Sequence, residues 1–99
     1  MSDRELLELA YRAYAPGANY VRLINDAGHS YWNPLTDDGD ALRLAVKLRL
    51  DVDCMGGDVV VAYQVITHSH AAEQIGHDHY AATRRAIVRA AAEIGRVME

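Results

Sequence analysis

A single cysteine, Cys54, stands in the chain of 99 residues, so no internal disulfide can form and no Cys-rich zinc motif can be built. Alone in an alternating apolar run, it reads as a small buried side chain rather than a nucleophile. No stretch of about 18 apolar residues is present, which leaves nothing to span a bilayer. The opening "MSDRELLELAY" has acids where a signal peptide needs a basic and then an apolar stretch. A cytoplasmic protein is therefore expected. Glycine-rich phosphate loops and nucleophile elbows are also missing, so phosphoryl transfer and acyl transfer have no starting point. Positive charge is scarce as well. Ten Lys and Arg face fourteen Asp and Glu, a net charge of −4 that does not favour nucleic acid as the partner.

What is present suits one domain over residues 1–99, long enough to bury about 60% of its unfolded surface around one core. Ser2 and Glu5 have capping-box spacing, and Leu6, Leu7, Ala10, Ala13 and Tyr14 follow at helical intervals. Pro16 and Gly17 end that first helix. Residues 19–25, "NYVRLIN", read as a strand before a turn at Gly28, with "SYW" returning beside it.

Three aspartates then crowd the segment "TDDGDALRLAVKL". A calcium loop needs alternating oxygen ligands, a central glycine and a closing glutamate, a spacing that does not occur here. Asp37, Asp38 and Asp40 instead stand where free N–H groups and the positive dipole end of a helix favour carboxylates. Thr36 or Asp37 serves as N-cap, Asp37 with Asp40 gives a shortened capping box, and Ala41, Leu44, Ala45 and Leu48 form the buried face. Leu42 and Val46 widen the apolar arc beyond what one sheet face covers. A weak homodimer is expected on that ground, and on the open edges of a small sheet.

Two alternating runs around Gly56-Gly57 predict a hairpin over residues 48 to 66 with a two-residue turn. Setting Met55 opposite Asp58 pairs Cys54 with Val59, Val52 with Val61 and Leu50 with Tyr63. Residues 71 to 76 are weakly patterned and read as a loop. A last helix runs from about His79 to Met98, capped by Asp78, with Tyr80, Thr83, Ile87, Ala91, Ile94 and Met98 on one stripe.

The stretches "YWNPLTDDGDALRLAVKLRLDVD" and "AATRRAIVRAAAEIGRVM" resemble a family of small phage and prophage proteins of unknown function, the phage ABA-sandwich domain family. The resemblance implies a small sheet between helical layers and carries over no catalytic or ligand-binding residue. With the pattern above it gives the expected class: α/β (α+β), a three-layer α-β-α sandwich with a mainly antiparallel sheet of about three strands and three helices, in the order α-β-α-β-β-α. The expected function, taken with the missing catalytic motifs, is a phage-derived accessory protein in the host cytoplasm, non-enzymatic and without cofactor, acting through contact with an unknown phage or host protein.

Two rival functions have residues to carry them. His68, His70, His77 and His79 fall in "HSHAAEQIGHDH", where two i, i+2 pairs across a loop would complete a tetrahedral zinc site. Surface loops also collect histidines without a ligand, and neither pair has a familiar zinc spacing, so no metal ligand is assigned. Arg85, Arg89 and Arg96 lie within about 40° of one another on the last helix, opposite Ile87. Such a stripe meets phosphates in a nucleic-acid binder, and it is equally the solvated face of an amphipathic helix. Tyr31 and Trp32, just before Asn33-Pro34, either anchor a partner or close the end of the core, and the core role is the expected one.

Overall fold

The computed structural model describes residues 1–20 and 31–98. Its elements are α1 (Asp3–Tyr14), α2 (Asp38–Lys47), β1 (Asp51–Asp53), β2 (Val59–Tyr63), β3 (His70–Gln74) and α3 (His79–Val97). The expected class is the observed one, three helices with a three-stranded antiparallel sheet in the order β1-β2-β3. Among the described residues the element order is α-α-β-β-β-α rather than α-β-α-β-β-α. The strand expected over 19–25 lies, beyond Tyr20, outside the described residues.

The helices begin where their caps dictate. The Glu5 N–H donates to Ser2 Oγ at 3.1 Å and the Ser2 N–H donates to Glu5 Oε1 at 3.3 Å, a complete capping box. Asp37 caps α2, accepting from the Asp40 N–H at 2.8 Å. The Asp40 carboxylate does not reach back to close a box. It accepts from the Asn33 N–H at 2.9 Å and from Arg43 at 2.7 Å, holding the turn at Pro34 against the helix. Asp78 caps α3 through the Ala81 N–H at 3.0 Å.

Helix α3 is the hub. It touches α1, α2, β2 and β3, whereas α1 and α2 barely reach the sheet. Ala82, Ala86, Ile87, Val88, Ala90, Ala91, Ala92, Ile94 and Gly95 are all buried, an arc running most of the way round the helix. The inner sheet face, Val60 and Ala62 of β2 with Ala71 of β3, packs beneath it. At the other end of the core Trp32 is 8% exposed, set edge-on to Tyr11 and stacked on Tyr14 with ring centroids 5.1 and 5.5 Å apart. Tyr31, expected to join Trp32 in the core, stays outside at 76% exposed.

The hairpin forms, but one residue out of the expected register. Asp51 pairs with Tyr63, Val52 with Ala62 and Asp53 with Val61. Because "VVVAY" is apolar on both faces, alternation does not say which face turns inward, and burial under α3 selects Val60 and Ala62. The loop accordingly holds Gly56, Gly57 and Asp58, with Gly57 at φ +79°. Cys54, expected to be buried, is exposed at this hairpin tip.

Residues 71 to 76, expected to be a loop, begin with most of β3. "HAAEQ" has little intrinsic strand preference. Pairing with β2, burial of Ala71 and the ion pairs of Glu73 to Arg85 and Arg89 hold it in place.

Candidate functional site

A cleft of about 560 Å³ opens between α1, the second half of α3 and the turn joining β2 to β3. Leu6 and Leu9, one turn apart on α1, supply its apolar wall together with Ala71 and Ala92. The turn supplies its polar side. There the Gln64 N–H donates to the Ser69 carbonyl at 2.8 Å, and Gln64 Nε2 anchors the turn to the Leu48 carbonyl at 2.7 Å. His68 adopts the left-handed region at φ +58°, a conformation more often found in glycine or asparagine. Its Nδ1 lies 3.1 Å from the Tyr63 hydroxyl. Both His68 and His70 line the cleft.

From α3 come Arg89, Glu93 and Arg96. Arg96 donates to Glu93 at 2.7 Å, and this hydrogen bond raises the guanidinium pKa above its ordinary value. Arg89 bonds Glu73 and donates to the Ala72 carbonyl at 3.0 Å. In the antiparallel ladder Ala71 and Glu73 point their backbone groups at β2, so the Ala72 carbonyl belongs to the free edge of the sheet, and Arg89 blunts that edge.

The expected arginine stripe thus exists, and each member faces a carboxylate of its own chain. Arg85 reaches Asp3 at 3.0 Å and Glu73 at 3.8 Å. Arg84, which the stripe leaves out, is the more enclosed cation. It donates to the Leu35 carbonyl at 2.9 Å and to Asp38 at 2.6 Å, tying α3 to the start of α2.

The four histidines do not come together. His68 and His70 stand at the beginning of β3, while His77 and His79 follow its end, and about 13 Å of strand separates His70 from Gln74. Among the described residues no group of three or more His, Cys, Asp or Glu side chains is placed to hold a metal ion. No helix among them is long and apolar enough to cross a membrane.

Of the cleft residues, sequence reasoning singled out the histidines and arginines but gave Leu6 only a core role and Leu9 none. Their i, i+3 spacing was visible; their meeting with a turn some sixty residues away in the chain was not. No protein-family model matches the chain, and neither the curated proteins nor the solved structures contain a significant match to it.

Proposed function

We propose that the protein is a non-enzymatic accessory domain of the phage type its two quoted motifs resemble, acting in the host cytoplasm by contact with protein, its own second copy included. The observation that carries this reading is the outer face of α2. Leu42 and Val46, one turn apart, are 64% and 68% exposed although Ala41, Leu44 and Ala45 of the same helix are buried. An i, i+4 apolar pair on the solvent side of a helix is the minimal pattern by which a helix face enters a partner groove. The zinc and nucleic-acid readings have less support, since the histidine pairs flank a strand and the stripe arginines already face carboxylates.

Sedimentation equilibrium from micromolar to near-millimolar concentration tests it. A mass that rises with concentration in the wild type and stays monomeric in Leu42→Asp/Val46→Asp is the expected result. The variant should keep its helical circular dichroism, because both side chains are exposed. A constant monomer mass, together with capture of the same phage or host proteins by wild type and variant alike, would end the reading.

A further inference from the structure

We propose that the cleft between α1, α3 and the β2–β3 turn binds a small apolar carboxylate, its head group on Arg96 and its chain along Leu6, Leu9 and Ala92. This site lies apart from the α2 face and does not depend on it. A volume of about 560 Å³ falls within the range of small-ligand pockets. Leu6 and Leu9 of α1 with Ala71, Ala92 and Val97 supply apolar groups, and α3 and the turn add guanidinium, carboxylate, imidazole and hydroxyl groups.

Arg96 is the available cation. It pairs with Glu93, three residues back on the same helix, in an exposed pair of the kind that contributes little to stability. An incoming carboxylate can take over the guanidinium at small cost. Arg89, by contrast, is engaged by Glu73 and by the Ala72 carbonyl.

The ligand is a small molecule rather than an added peptide strand. A strand laid against β3 needs the outward carbonyl of Ala72, which Arg89 already occupies. Arg89 and Arg96, seven residues apart, stand about 10 Å from each other along the helix, which matches a chain of roughly eight carbons.

Titration of the ¹⁵N-labelled 99-residue chain with octanoate, and with octanol as the uncharged counterpart, tests the proposal. Saturable amide shifts at Leu9, Ser69, His70, Ala92 and Arg96 are expected with octanoate below about 1 mM, and binding weaker by about tenfold with octanol. Two exposed substitutions move affinity in opposite directions. Arg96→Gln removes the cation and weakens octanoate binding by about tenfold, whereas Glu93→Gln frees Arg96, removes a competing charge and tightens it. Opposite signs from neighbouring positions separate a binding role from mere loss of structure. Absence of saturable shifts, equal affinity for octanol, or weakening by both variants overturns the proposal. So does tighter binding of acetyl-Ala-Ala-Leu than of octanoate, which would make the cleft a peptide site.

Discussion

Gly95 lies in the last turn of α3, where glycine costs up to about 1 kcal/mol relative to alanine. The reason lies across the helix crossing. A Cβ at this position would fall 1.8 Å from the Leu9 carbonyl oxygen and 2.8 Å from its carbon, atoms of the α1 backbone that cannot rotate away. Arg12 Nη1 donates to the Gly95 carbonyl at 3.3 Å and pins the same crossing. Helix propensity and packing therefore make opposite predictions for Gly95→Ala: a gain of up to about 1 kcal/mol from propensity, or a net loss of about 2 to 3 kcal/mol from overpacking. The loss is expected, because α1 packs more extensively on α3 than any other element does. Urea unfolding at unchanged m-value reads the difference, and a raised midpoint would show that the two helices can part without cost. The cue stood in the sequence as one glycine following Ala90, Ala91 and Ala92, a run of small residues whose purpose is close approach. Without knowledge of which helix crosses there, it carried no address.

Legibility at the scale of elements depended on whether the signal was local. Ser2, Asp37 and Asp78 were readable as caps because capping is settled within four residues. The end of α2 was not. Arg49 has φ +55°, its N–H donates to the Val46 carbonyl at 3.2 Å, and the Leu50 N–H donates to the Ala45 carbonyl at 2.9 Å. These bonds form a Schellman cap with arginine where glycine is usual. The cap takes up Leu48 and Leu50, which alternation had assigned to the strand, and leaves β1 only Asp51–Asp53. With no glycine to mark it, the helix end was invisible in the sequence; the hairpin register, set by a two-residue turn at Gly56-Gly57, came out one residue off because burial under α3 fixed it instead. The cleft was half legible for a similar reason: the chemistry of its histidines and arginines is written in the chain, but their apposition to Leu6 and Leu9 arises only from tertiary packing. Arg49→Gly follows from the same cap. Relief of a left-handed residue is worth about 1 to 2 kcal/mol. The greater freedom of glycine in the unfolded chain takes back about 0.5 to 1 kcal/mol. A net stabilisation near 0.5 to 1 kcal/mol is expected in thermal and urea unfolding, and a destabilised variant would mean that the Arg49 side chain holds the helix end in some other way.

Across the described molecule, stability is concentrated in α3, against which α1, α2, β2 and β3 pack, while β1 joins mainly through β2. Helices of 12 and 10 residues, α1 and α2, are too short to persist alone in water. A sheet of strands with three, five and five residues, filled on its inner face by α3, has no independent stability either. Arg84 clamps α2 to α3, Arg85 clamps α1, and Glu73 brings β3 under Arg85 and Arg89, so polar contacts follow the same radial plan as the apolar ones. Removing α3 from any neighbour exposes buried alanines and leaves half-buried cations without their acids. Partial unfolding therefore has no cheap first step, and a single cooperative transition is expected. The chain carries its own reporters. Trp32, the sole tryptophan, sits among Tyr11, Tyr14 and the far end of the core, while far-ultraviolet circular dichroism follows the helices, chiefly α3. Tryptophan fluorescence and circular dichroism should give the same urea midpoint and the same m-value. An earlier fluorescence transition would show that the aromatic end detaches while α3 and the sheet stay folded, and α3 would then not be the common support of both ends.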